Sequence, residues 1–214
     1  VERSRGLGDV YKRQLFDNGY GVPQDEQQAA VWYRKAADQG HMAAQYNLGV
    51  SYAKGQGVAQ DYAQAVEWYR EAAAQGYTAA QNNLGELYAH GLGVERDLTE
   101  SSQWFAKAAE QGDAVAQYNL GIAYANGRGV PKNEANALEW FKKSAAQGNA
   151  AAQYNMGVRY ESGQGVPQDY HLAVQWYLKS AEQGYPNAQN NLGLLYADGH
   201  GVEQDTDTVS YTHL

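Results

Sequence analysis

Tryptophan recurs at residues 32, 68, 104, 140 and 176, a constant interval of 36. No other feature of the 214 residues constrains the fold as strongly. A chain that repeats at one interval without insertions is built from stacked equivalent units, because each unit must meet its neighbours in the same way. Tyr52, Tyr88, Tyr124, Tyr160 and Tyr196 keep the interval too. Of the 24 glycines, 22 fall into four columns, those of Gly49, Gly55, Gly57 and Gly76. The register holds from Gly19 to Val202.

One unit spans Ala43 to Tyr77. In AAQYNLGVSYAK, Ala44, Leu48 and Tyr52 stand at i, i+4 and i+8, one face of a helix. Gly55 and Gly57 in GQGVAQ end it. Asp61 then stands where a helix N-cap is needed, with Gln64 three residues on. Its column reads Asp25, Asp61, Asp97, Asn133 and Asp169, all residues whose short side chain can accept from a free backbone N–H. Ala65, Trp68, Tyr69, Ala72 and Ala73 form a continuous apolar stripe on a second helix. Gly76 follows as a left-handed terminator. The pattern predicts an all-α fold, a pair of helices per unit, with no strand.

Composition agrees only once the repeat is known. Leu, Ile, Val and Phe make up about 16% of the chain, a level typical of disordered acidic sequences. Stacking resolves this, since Ala and Gly let helices approach closely and the aromatic side chains fill the space between them. The single Ile argues against a sheet. A net charge of −8 without a basic stripe argues against nucleic acid as a partner. The absence of cysteine excludes a disulfide scaffold, a thiolate metal site and a thiol nucleophile. Apolar runs are too short for a membrane helix, so no membrane insertion of these residues is expected.

The unit NLGxxYxxGxGVxxDxxxAxxWYxxAAxQGxxxAQ resembles the Sel1-like repeat, a relative of the tetratricopeptide repeat. The resemblance covers about residues 15–205, with four full copies and partial units at both ends. It implies a right-handed α-solenoid, mostly bacterial, serving as a non-enzymatic scaffold or adaptor for protein partners. It also implies an alternative, an exported host- or envelope-facing binding module such as the relative that binds secretory immunoglobulin A. A cysteine-rich branch of the family has been linked to penicillin binding, and a hydrolase of that type is the remote alternative. Its defining cysteines are absent here. Many members are exported, but the residues themselves do not fix a location.

The ends differ from the rest. Residues 1–14 carry none of the repeat columns, and DVYKRQ (9–14) and VSYTHL (209–214) resemble translated sequencing-adapter sequence. The expected organisation is a foreign tail at 1–14, the repeat array at 15–208 and a second foreign tail at 209–214. The natural protein is expected to be longer.

No catalytic, metal or cofactor constellation emerges. The GQGV, GLGV, GRGV and GHGV loops precede helices but follow no strand, and an acidic column comes after them; they read as turns rather than phosphate cradles. The five histidines, at 41, 90, 171, 200 and 213, include no pair spaced i, i+4. The carboxylates of the Asp61 column are accounted for as caps. The Trp column lies within the stripe of Ala65 and Ala72 and reads as core rather than as a box for stacking ligands.

Function is therefore sought where the copies differ. By resemblance to tetratricopeptide-like stacks, the first helix of each unit lines a concave face, through the columns of Ala43, Tyr46, Val50, Ala53 and Lys54. The Tyr46 column continues as Asn82, Tyr118, Tyr154 and Asn190. The Val50 column continues as Glu86, Ile122, Val158 and Leu194, and the Lys54 column as His90, Asn126, Ser162 and Asp198. Only Lys54 is basic, so a clamp for an acidic C-terminus is not expected. Tyr46, Asn82, Tyr118, Tyr154, Asn190, Glu86, Lys54, His90 and Asn126 are the candidate partner contacts, with packing between repeats the competing reading for the tyrosines. Asn47 and its equivalents are Asn in all five copies. That sameness suggests a structural hydrogen bond within each repeat.

Overall fold

The computed structural model describes residues 25–201. Among them lie ten helices and no strand. They are α1 (Glu26–Ala37), α2 (Met42–Lys54), α3 (Tyr62–Ala74), α4 (Thr78–His90), α5 (Leu98–Glu110), α6 (Ala114–Asn126), α7 (Glu134–Ala146), α8 (Ala150–Ser162), α9 (Tyr170–Glu182) and α10 (Pro186–Asp198). The fold is an all-α repeat solenoid. The even-numbered helices are the first, and the odd-numbered the second, of each 36-residue repeat. The tails at 1–14 and 209–214, and the first repeat's Gly19 and Gly21, lie outside the described residues.

The described chain falls into two compact units, one of residues 25–116 with 128–131, the other of residues 117–127 with 132–201. In the first unit, α1 to α5 pack in chain order, each on the next; in the second, α7 to α10 do the same.

The caps form as the sequence requires. Asp61 accepts from the backbone N–H of Ala63 and Gln64 at 2.9 and 3.1 Å, and Asp25, Asp97, Asn133 and Asp169 cap their helices alike. The GQGV loop is a turn. Gly55 ends α2 in the left-handed region, and the Asp61 N–H returns to the Tyr52 carbonyl at 2.9 Å. Gly57 is needed for a second reason: a Cβ there would sit 2.0 Å from the Glu26 carbonyl oxygen at the start of α1.

The core corrects one expectation. All five tryptophans are only half-buried. The buried aromatic is the next residue in each stripe, namely Tyr33, Tyr69, Phe105, Phe141 and Tyr177. These rings lie among Ala65, Ala72, Ala80, Leu84 and their equivalents. The reason is the glycine column. In α2, α4, α6 and α8 a glycine meets this ring so closely that an added Cβ would lie 2.5–2.8 Å from it. The absence of a side chain on the first helix thus sets which residue of the second helix points inward. Trp68 and Trp104 instead lean on the core of the preceding repeat.

Buried glutamines join successive helices. Gln75 donates to Gln45 at 2.6 Å, and Gln45 donates to the Ala37 carbonyl of the preceding repeat at 3.4 Å. Gln111 and Gln81 repeat the arrangement in the first unit, and Gln183 and Gln153 in the second. A buried amide needs both its donor and its acceptor satisfied, and the buried Gln45 has both, accepting from Gln75 of its own repeat and donating to Ala37 across the repeat boundary.

Candidate partner-binding face

The candidate contacts sit on the first helix of each repeat. In the first unit the Tyr46 ring lies 5.8 Å from that of Tyr69 and 4.9 Å from that of Tyr77, both tilted. The Asn83 side chain hydrogen-bonds the hydroxyls of Tyr46 and Tyr69. In the second unit Tyr118 meets Phe141 at 5.9 Å, and Tyr154 meets Tyr177 at 5.7 Å and Tyr185 at 5.4 Å. Asn155 bonds the Tyr118 hydroxyl, and Asn191 donates to that of Tyr177 at 3.1 Å. The asparagine column therefore has the structural role expected of it, but the bond runs to the preceding repeat rather than staying within one.

Burial raises the phenol pKa of Tyr46 and of Tyr118 and pushes that of Tyr69 up to about 12, because the anion would lose its water. Burial, and then a hydrogen bond donated to the Glu161 carboxylate, raises Tyr177 as well. These hydroxyls stay neutral donors over the physiological range.

Tyr46, Tyr118 and Tyr154 are half-buried, so each combines a packing role with an accessible edge. Asn82 and Glu86 are half-buried on α4, whereas Lys54, His90, Asn126 and Asn190 are exposed. Asn126 donates back to the Ile122 carbonyl of its own helix at 3.1 Å. Val50, Ile122 and Val158 are half-buried between these positions, and Leu194 is exposed. Within each unit the face is aromatic, amide and aliphatic.

Two residues of this face were not singled out from the sequence, Tyr77 and Tyr185. They are the N-cap residues of α4 and α10 and make no side-chain cap hydrogen bond. The same column elsewhere holds His41, Asp113 and Asn149, which do cap, accepting from Ala44, Ala116 and Ala152. A cap contributes about 1 kcal/mol. Tyrosine gives that up and places a ring against Tyr46 or Tyr154. The signal was present in the sequence, as two tyrosines in a column of cap-forming residues.

Among the described residues no group of His, Cys, Asp or Glu is placed to hold a metal ion, and no helix is long and apolar enough to cross a membrane.

The family model described as Sel1 repeat matches residues 5–41, 43–77, 78–113, 114–149, 150–185 and 186–208. Among solved structures, c5321, described as a protective antigen present in uropathogenic Escherichia coli strains, is 42% identical with a TM-score of 0.89. The match covers 94% of this chain but 43% of that one, so the chain spans less than half its length. A Sel1 repeat protein from Oxalobacter formigenes is 36% identical over 91% of this chain and 77% of its own, with a TM-score of 0.85. The immunity protein Pa5087 from Pseudomonas aeruginosa shares the fold at 23% identity over 86% of this chain and 68% of its own, with a TM-score of 0.57. No curated protein matches the chain.

Proposed function

The chain belongs to the Sel1 repeat family, whose members commonly act as protein-interaction modules, and on that premise we propose a non-enzymatic adaptor that holds a peptide or protein segment on the first-helix face. The observation that carries the proposal is the pairing of Tyr46 with Tyr77 and of Tyr154 with Tyr185 at positions where a helix cap has been given up. A local rule broken at two equivalent positions, for a ring that stays half-buried there, supports a purpose beyond the cap. Aromatic rings held by packing and hydrogen bonds lose little entropy on contact, and such anchors dominate interface energies. The partner contacts are Tyr46, Tyr118, Tyr154, Tyr77 and Tyr185, with Asn82, Asn190, Glu86, Lys54, His90 and Asn126 around them.

The test uses the residues the other repeats carry. Tyr77→Asp and Tyr185→Asn restore caps but remove the ring contacts with Tyr46 and Tyr154, opposing effects of about 1 kcal/mol each, so the double variant should melt close to the parent temperature. Partners are captured on the parent protein from bacterial lysate and from secreted host proteins, then titrated against both forms. Loss of about tenfold or more in affinity supports the reading, since removal of one central aromatic anchor costs ~2 kcal/mol. Equal binding by the stable variant places recognition elsewhere. The likeness to a protective antigen favours, as second reading, a host-facing module. Capture from host proteins but not from lysate is its signature.

A further inference from the structure

Glu161 breaks a column of the first-helix face. The equivalent residues of the other repeats are Ala53, Ala89, Ala125 and Ala197. In α8 it follows Tyr154 and Val158 at i, i+4 and i+7, so the three side chains form one row along the helix. All three are half-buried. The row runs about 10 Å along the axis, from an aromatic ring over an aliphatic side chain to a carboxylate.

The carboxylate is held in place from below. The buried Tyr177 hydroxyl of α9 donates to Glu161, and Asn191 of α10 donates to that hydroxyl at 3.1 Å. The Tyr177 ring lies 5.7 Å from that of Tyr154, which in turn meets Tyr185 at 5.4 Å. The first unit has the same tyrosine and asparagine, Tyr69 and Asn83, bonded to each other, but Ala53 stands where the acid would be. The packing of a repeat therefore does not call for a carboxylate at this place.

Its charge is not answered from within. One Glu161 oxygen accepts from Tyr177, and among the described residues the carboxylate forms no ion pair. Arg159, two residues earlier on α8, is buried against Glu134 and the Phe141 ring. The other charged residue in the face columns of this unit is Asp198, again an acid.

We propose that this row receives a lysine or arginine side chain of the bound segment, its stem along Val158 and the edge of Tyr154 and its charged head on the Glu161 carboxylate. Long basic side chains join an apolar stem to a charged tip, the order in which the row presents its groups. A carboxylate already oriented by a buried donor loses little side-chain freedom when a cation bonds it. An acidic segment is repelled, and a purely apolar one takes water from the carboxylate without replacing it. The proposal rests on the tyrosine-face reading and adds to it the chemistry of the partner.

The experiment pans a displayed library of random linear peptides on the full chain. Enriched peptides are synthesised and titrated against the parent, Glu161→Gln, Tyr185→Asn and Glu182→Gln. Glu161→Gln keeps an acceptor for Tyr177 and removes only the charge, so it should melt near the parent temperature. Glu182, exposed at the end of α9, controls for net charge. Basic residues should dominate the enriched set. Glu161→Gln should weaken binding by about fivefold or more, while Glu182→Gln binds as the parent does. Neutralising the basic side chain of the peptide, as acetyl-lysine or citrulline, should weaken binding to the parent by a similar factor and to Glu161→Gln hardly at all. Peptides that lose affinity with Tyr185→Asn but not with Glu161→Gln overturn the proposal and leave the tyrosine-face reading standing. Binding indifferent to both variants, or no enriched peptide, overturns both. Equal losses in Glu161→Gln and Glu182→Gln reduce the effect to net charge and overturn the proposal as well.

Discussion

The ring of Tyr69 lies so close over Gly49 that a Cβ added to the glycine would stand 2.6 Å from its Cδ1 and Cε1. Tyr69 is 3% exposed and packed on every side, so it has no room to retreat. Gly49→Ala should therefore destabilise by about 1–3 kcal/mol, the usual cost of overpacking, although alanine is the better helix former. Gly193 occupies the same column in α10 and has nothing within 4 Å of the added atom. Gly193→Ala should be neutral or stabilise by up to ~1 kcal/mol. Urea unfolding of the two variants checks the contrast, and equal effects would refute the close-approach argument.

Phe105 and Trp104 are neighbours with opposite roles. Phe105 is 7% exposed in the core, while Trp104 is half-buried beneath Lys107. Phe105→Ala should cost about 3–5 kcal/mol. Trp104→Ala should cost less, on the order of 1–2 kcal/mol, because much of its surface is already wet. From the sequence alone, which reads the Trp column as core, a loss of about 3–5 kcal/mol is expected at Trp104. Denaturant midpoints of the two variants decide the order.

Arg159 is 4% exposed in a column that holds Leu87 and Leu195. It donates to Glu134 at 2.8 Å and lies 5.0 Å over the Phe141 ring. Glu134→Gln leaves a buried guanidinium without a counter-charge and should destabilise by roughly 1–3 kcal/mol, below the cost for a fully buried pair because the carboxylate meets water. Arg159→Leu removes the buried charge and should be near neutral. The hydrogen bond from Arg159, aided by Lys132, holds the Glu134 pKa below its ordinary 4.5. A lowered folded pKa contributes stability above the unfolded value and loses it as pH falls through the folded one. The parent should accordingly lose stability more steeply than Glu134→Gln on acidification below pH 4.5. Melting temperatures across that range are the measurement.

The raised phenols set an alkaline limit. With Tyr69 pushed up to about 12 from an ordinary 10.0, the unfolded chain releases its proton first. The stability this group contributes is intact below pH 10.0 and declines as pH rises through about 12. Tyr69→Phe is a natural replacement, since Phe105 and Phe141 hold the same column. It should flatten the fall in melting temperature over that interval, and phenolate absorbance should show one late-titrating tyrosine fewer. An unchanged profile would mean that Tyr69 ionises freely.

The period made the helices, their caps and the turn legible, because each of those depends on a residue and its near neighbours in sequence. It did not give the rotation of the second helix. Trp68 and Tyr69 both fall within one wide apolar stripe, and only the Gly49 notch on the partner helix decides that the tyrosine goes inward. The asparagine column was legible as structural, yet its partners Tyr46 and Tyr69 belong to the preceding repeat, a relation that sequence spacing does not display. On the candidate face, Tyr46, Tyr118 and Tyr154 stood out because their column alternates with asparagine. Tyr77 and Tyr185 did not, because a position next to a terminating glycine reads as loop until the ring is seen against its neighbour.

The glutamine pairs govern how such a chain can change length. Gln75 finds Gln45 across 30 positions, and Gln45 finds Ala37 across eight, in the repeat before. Each amide thereby senses the phase of its neighbour. Duplicating or excising one whole period returns a glutamine to every vacated place, and all the bonds re-form. A single residue more or fewer within a helix swings the amide away by about 100° and strands it in the interior. Growth and loss are for that reason quantised, and a lineage of such chains can explore reach in whole steps while its interior chemistry stays constant.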